Sequence, residues 1–289
     1  MRRTIVFWTS AFVLTAASAV YQRVTGPTYP YSGKAVLGGK TIAYKFERSH
    51  TGSSGHAVKV RTDEPAVTGL LLWRYYQSGD KFRQDTMRYK DGQLSAEMPN
   101  QPPAGKLEYR VILETSGERV YLPGDRSIII RFRGDVPAIV LYLHIFAMFI
   151  GMLISTRAGI EAAAGGPDAG RFVYRIIGFL LVGGLILGPL VQWYAFGQFW
   201  TGWPAGRDLT DNKTALILIL WSVTAFVMKR SKNPRWWILT SALITLAVYL
   251  IPHSVLGSEL TYSGTQKQGA AMLIGLLFPF VRKTIIFNE

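Results

Sequence analysis

The sequence predicts an α-helical integral membrane protein of about six spans, with an all-β domain inserted after the first span. Three observations carry this. Apolar runs of roughly membrane-spanning length recur at both ends of the chain. Between the first two, residues 34–134 alternate β-branched and aromatic residues with breaks at Gly, Pro, Asn and Asp. Lys and Arg then gather in alternate connections, as in a chain that weaves through a bilayer. Composition agrees, since 49% of the 289 residues are hydrophobic and 13% aromatic. That is apolar for a soluble protein and too polar for one wholly embedded.

The net charge of +14 would suggest nucleic acid in a soluble chain. Sorted by side of a membrane, most of the excess is the bias that orients spans. The expected partners are therefore the lipid bilayer and membrane or periplasmic proteins, with no nucleic acid. The chain has no cysteine, which excludes disulfides, thiolate metal sites, a cysteine nucleophile and thioether attachment to this chain.

The first domain, residues 1–22, opens Met1-Arg2-Arg3 and continues as an uncharged run over 4–21. It reads as a retained membrane helix, or as a signal segment with Ala17-Ser18-Ala19 as its small-residue cleavage site. In either case Arg2 and Arg3 stay cytoplasmic and send residues 34–134 across.

In that domain strands are expected at 41–47, 57–61, 69–76, 82–90, 93–98, 107–115, 119–122 and 127–132. Asp91-Gly92 makes a tight hairpin. The number and spacing resemble an immunoglobulin-like or fibronectin-like sandwich, with Trp73 as its buried strand tryptophan and Tyr109 as its corner tyrosine. His50 and His56 flank a Gly/Ser turn; paired imidazoles can bind metal, but alone they do not close a site.

The membrane domain, residues 137–288, carries runs at 138–156, 172–196, 213–227, 236–251 and 269–281. With six spans, the amino terminus, Arg157/Arg171/Arg175, residues 229–235 and Arg282-Lys283 share the cytoplasmic side. The β domain, the tryptophan-rich loop 193–212 and residues 253–268 share the other. His144 lies a third of the way into the second span. At that depth an imidazole serves a ligand or a cavity, or hydrogen-bonds a neighbouring helix. Gly183-Gly184, Gly188 and Pro189 suit close packing or a kink.

Loop 193–212 concentrates Trp193, Tyr194, Phe196, Phe199, Trp200 and Trp203 before Asp208, Thr210, Asp211 and Asn212. One reading is an interfacial aromatic belt followed by a helix cap at Asp208 or Thr210. The layout also resembles the WWD-motif family of haem-handling membrane proteins of cytochrome c maturation. There an extracytoplasmic loop of the form G-x-x-W-x-W-D-x-K-x-x-x-x-L joins two spans. Here Gly197-Gln-Phe-Trp200-Thr-Gly-Trp203-Pro-Ala-Gly-Arg-Asp208 is followed by Lys213 and an apolar run, with four residues between Trp203 and Asp208 where the family has none. Leu141-Tyr142-Leu143-His144 resembles the family's first histidine phrase, and Pro252-His253 takes the place of its second.

The resemblance implies a bacterial cytoplasmic (inner) membrane protein with its β domain extracytoplasmic, acting in haem delivery without catalysis of its own. Haem is a flat apolar plate with two carboxylates and an iron that takes axial imidazoles. His144 and His253 are the expected metal ligands, Trp200 and Trp203 the stacking surface, Arg207 or the helix start led by Asn212 the propionate partner, and Asp208 a further cofactor-binding residue. Two other readings stand beside it: an accessory subunit docking through its sandwich, and a bis-histidine b-type electron carrier. No hydrolase, kinase or zinc motif stands out.

Overall fold

The computed structural model describes residues 2–252. These form two compact units, residues 2–25 with 136–252, and residues 26–135. His253 and the expected last span at 269–281 lie outside the described residues.

The β unit holds eleven strands: β1 Tyr31–Leu37, β2 Lys40–Phe46, β3 Ser49–Thr51, β4 His56–Arg61, β5 Thr68–Tyr75, β6 Arg83–Thr86, β7 Arg88–Lys90, β8 Gln93–Met98, β9 Lys106–Thr115, β10 Glu118–Leu122 and β11 Ile128–Arg133. Three sheets result. β1 pairs β2; the order β4-β8-β7 makes the second; β3-β11-β9-β5-β6, with β10 also on β9, makes the largest. β9 organises it. β5 pairs β9 from Leu107 to Glu114, while β11 takes the first part of its other edge and β10 the second.

Period-two alternation explains the core: Leu107, Tyr109, Val111 and Leu113 are all fully buried, with Glu108 and Arg110 between them less so. Each such burial contributes about 1.5–3 kcal/mol. Phe46, Leu71, Leu94, Met98, Ile130 and Phe132 meet this row from the other strands.

Two turns show why the chain reverses where it does. Asp91-Gly92, with φ of 51° and 76°, joins β7 to β8 as expected, and Gly38-Gly39, with φ of 56° and 74°, joins β1 to β2. Both central positions need positive φ in such two-residue hairpins. The expected single strand at 82–90 is instead two. β6 pairs β5, β7 pairs β8, and buried Met87 between them donates its N–H to Gly69 O. The segment thus changes sheet at Met87. Trp73 is buried as expected, its indole N–H donating to Asp85. The Tyr109 hydroxyl donates to Glu47 O, 62 residues upstream, rather than to a residue near its own corner.

The helical unit begins with α1 Arg2–Thr25, unbroken through Ala17-Ser18-Ala19 and with Ser18 buried. α2 Ala138–Ala163 follows, then a third run, Ala169–Phe196, containing α3 Val173–Leu180 and α4 Gly188–Phe196. α5 Leu209–Met228 and α6 Arg235–Leu250 are its last described helices. Among the described residues, four helical runs are long and apolar enough to cross a membrane; α6 is apolar but only 16 residues long.

Side-chain hydrogen bonds tie the helices together, as small polar groups do in lipid. Trp221 Nε1 donates to Thr245 Oγ1 at 2.9 Å, and Thr224 and Ser241 share a 2.7 Å bond, both between α5 and α6. Gln22 of α1 donates to Tyr249 O, and Lys213 of α5 to Ile251 O, each at 2.8 Å.

α2 runs seven residues beyond the 156 end that the sequence suggests. Arg157, read above as a loop cation, therefore lies inside the helix, bonded to Glu161. The helix continues because the carboxylate one turn on neutralises the guanidinium.

Candidate functional site

His144 stands six residues into α2, about 9 Å along the helix axis. Its environment is made by an irregularity in the third run. Pro189 has no N–H to offer a carbonyl of the preceding turn, and residues Leu181–Leu187 take a wider π-helical winding in which Gly188 N–H bonds Gly183 O. The same carbonyl lies 2.9 Å from His144 Nδ1. A carbonyl only accepts, so Nδ1 carries the proton, and in the neutral ring Nε2 is left with its lone pair. Nε2 has no hydrogen-bond partner among the described residues.

Glycine makes this approach possible. A Cβ on Gly183 would stand 2.9 Å from Met148 Sδ, one on Gly184 2.5 Å from Thr214 Cγ2, and one on Gly188 3.6 Å from His144 Cε1. The glycines read from sequence as packing residues thus seat α2 and α5 against the third run. An apolar groove of about 620 Å³ separates Leu143, Phe146 and Ala147 of α2 from Phe179, Val182 and Leu187; His144 itself is not among the residues lining it. Among the described residues Arg175 is its one charged wall, and a Cβ on Gly178 within it would meet none of them within 4 Å.

The tryptophan loop is built differently from the expectation. α4 ends at Gly197 in a left-handed conformation, and residues 198–208 fold back over the start of α5. Asp211 Oδ2 accepts from Thr201 N at 2.6 Å and Gly202 N at 2.9 Å. Asn212 Oδ1 accepts from Trp203 N at 2.6 Å. Three successive amides are therefore held by two side chains in the first turn of one helix. Gly202 is required because a Cβ there would lie 2.6 Å from Asp211 Cβ. Gln192 Nε2 adds a bond to Thr201 Oγ1 at 2.6 Å.

Within this clamp Asp208 caps α5, accepting from Thr210 N at 2.8 Å and from the Thr201 hydroxyl at 3.2 Å. Its oxygens hold the loop. Trp200 is half-buried and its indole donates to Trp203 O at 3.1 Å. Trp203 is 78% exposed, and Arg207 is exposed as well. Trp193 and Phe199 stack with centroids 5.4 Å apart and planes at 6°.

The predicted residues thus fall into two groups. Trp200, Trp203, Arg207 and Asp208 share one braced loop, while His144 takes its bond from the third run. The residues that sequence reasoning passed over are Asp211 and Asn212 as clamps, Gln192, and Lys213. Lys213 is buried, and with Gln22 it grips the carbonyls just before His253. Among the described residues, no group of three His, Cys, Asp or Glu is placed to hold a metal ion.

The fold and this site define a helical protein with several membrane-length apolar helices and a separate multi-stranded domain. No family model matches the sequence, and no curated protein matches it.

Proposed function

We propose that the chain is a haem-binding protein of the bacterial cytoplasmic membrane that handles haem for cytochrome c maturation, with its β unit, an immunoglobulin-like sandwich, on the extracytoplasmic side. One observation carries the reading: Gly183 O fixes the His144 tautomer and leaves Nε2 as an unshared lone pair inside an apolar span. Histidines that ligate metals are oriented in this way, one ring nitrogen anchored on a carbonyl and the other free. An apolar groove between the same two helical runs has the volume of a cofactor site, about 300–1,000 Å³.

His144 would hold the iron, with His253 as the second ligand in this reading. The aromatic walls exclude water. Trp203 offers apolar area at the membrane face, Arg207 is the cation available to propionates on that side, and Asp208 positions the loop rather than touching the cofactor. Haem supplies the iron that a partner's apocytochrome ultimately uses. With no cysteine, this chain holds and releases haem while the partner supplies the thiols.

A Soret band with a pyridine-haemochrome signal from protein purified out of haem-replete membranes is expected, and His144→Ala should abolish or shift it. A colourless preparation that takes up no haemin, or a spectrum indifferent to His144→Ala, opposes the proposal. Exposure of Trp203 on a braced loop favours a second reading, an accessory subunit that docks a protein partner. Colourless protein that copurifies with a stoichiometric partner lost on Trp203→Ala would support it instead.

A further inference from the structure

A second pair of ligating groups lies in the β unit, apart from the haem reading. His50 sits in β3 and His56 opens β4, on either side of the turn 52–55. β3 ends one sheet and β4 ends another, so the two imidazoles meet where two sheet edges meet. Their Nδ1 atoms are 3.3 Å apart.

The proton positions follow from the partners. His50 Nε2 lies 3.0 Å from Ser54 O, which only accepts, so Nε2 bears the hydrogen and His50 Nδ1 is a lone pair. His56 donates its Nδ1 hydrogen to it. His50 therefore carries the same anchoring as metal-ligating histidines, one nitrogen on a backbone carbonyl and the other free. Phe132 backs His50 edge-on at 5.3 Å and Tyr109 lies 6.5 Å from His56, so both rings are held in place.

The spacing is compatible with a tetrahedral ion. Two nitrogens at the usual zinc bond length stand about 3.3–3.4 Å apart on a tetrahedral ion. Adjacent positions of a square-planar ion would bring them to about 2.8–2.9 Å. We infer that His50 and His56 form an open, exchangeable zinc(II) site through their Nδ1 atoms, stapling the two sheet edges. On binding, the zinc–nitrogen bonds replace the hydrogen bond between the rings. His56 moves its proton from Nδ1 to Nε2, so each ring stays neutral and no net proton is released.

Glu47 acts on His56 electrostatically, and the Glu97 carboxylate lies over Gly55, adding negative charge nearby. Both rings are half-buried, which leaves water to complete the coordination. Two protein ligands make an exchangeable site, in contrast to the four of a structural zinc.

The test is calorimetric titration of the full chain, untagged, chelator-stripped and in detergent, with zinc chloride. One zinc per chain with micromolar affinity is expected, together with a rise in the melting temperature of the β unit. His50→Ala and His56→Phe should each weaken binding at least about tenfold, and the double variant should be little worse than either, because the two act as a unit. His56→Phe keeps a ring against Tyr109, and an unchanged circular dichroism spectrum shows that its fold is kept. No saturable site below about 0.1 mM, or one-to-one binding that persists in the double variant, overturns the inference. His144→Ala should leave this titration unchanged, so the outcome is separable from that of haem loading.

Discussion

Arg157 and Glu161, one turn apart on α2, hold their charged groups 2.7 Å apart with both side chains buried. The guanidinium lies 5.1 Å from the Phe7 ring centroid, 5.6 Å from Trp8 and 5.2 Å from Phe172. Its Nε and Nη1 have no hydrogen-bond acceptor among the described residues. Cation–π attraction to three rings stands in for those bonds, and a desolvated contact of this kind is worth about 2 kcal/mol.

Glu161→Gln should therefore destabilise the helical unit by about 3–5 kcal/mol, because it leaves a buried cation without its anion. The double change Arg157→Met with Glu161→Leu should cost far less. Thermal unfolding in detergent measures both; a double variant as unstable as the single would contradict the account.

Asp211→Ala should release the tryptophan loop. Two backbone donors lose a charged acceptor, and each such bond is worth about 1.5–3 kcal/mol. Faster proteolysis within residues 198–207 and altered Trp fluorescence are the readouts. Asp211→Asn keeps an oxygen in place and should be intermediate.

Gly184→Ala should cost about 1–3 kcal/mol through overpacking on Thr214 Cγ2. Thr214→Ser removes that methyl and keeps a hydroxyl for the bond to Thr210 O, so the pair should recover most of the loss. A double-mutant cycle with no coupling would disprove the contact.

The β unit should lose stability as pH falls from 6.5 toward 4. The His56 pKa drops from 6.5 unfolded to about 4 folded, mainly by burial, with His50 adding to the fall and Glu47 opposing it. In that window the unfolded chain binds more protons, so its free energy falls relative to the folded state as pH falls; above 6.5 the contribution is complete. With allowance for solvent screening the slope integrates to about 1–2 kcal/mol. His56→Phe should flatten denaturant midpoints measured across this range.

Reporter fusions at Gly166 and Lys232 should report cytoplasm, and fusions at Gln93 and Gly206 the opposite side, because basic residues cluster in alternate connections. Lys232 outside would remove the alternation on which the proposed orientation rests.

Much of the fold was legible because its signals are local. Asp91-Gly92 demands its turn, β9 alternates over its length, and Asp208 precedes α5 as a capping residue does. β1 escaped because Tyr31–Leu37 buries little besides Leu37 and its residue types, ending Ala35-Val36-Leu37, do not alternate apolar with polar. Met87 escaped because a change of sheet depends on two partner strands far apart in sequence. The site was less legible for the same reason. His144 stands out by depth alone, but its tautomer depends on a carbonyl 39 residues away. Asp211 looks like an ordinary first-turn acid until the loop that it holds is in view. Arg157 was taken for an orienting charge because nothing adjacent announces a cage built from Phe7, Trp8 and Phe172.

The short length of α6 has a solvation consequence. Sixteen helical residues rise about 24 Å, less than the roughly 30 Å of hydrocarbon in a bilayer. A helix of that length ends where its last carbonyls meet acyl chains, and each unmet group there costs several kcal/mol. Gln22 and Lys213 occupy the place that water takes at the end of a longer helix, bonding Tyr249 O and Ile251 O from two other helices. The bundle in this way carries its own solvent for the backbone that leads to residue 253.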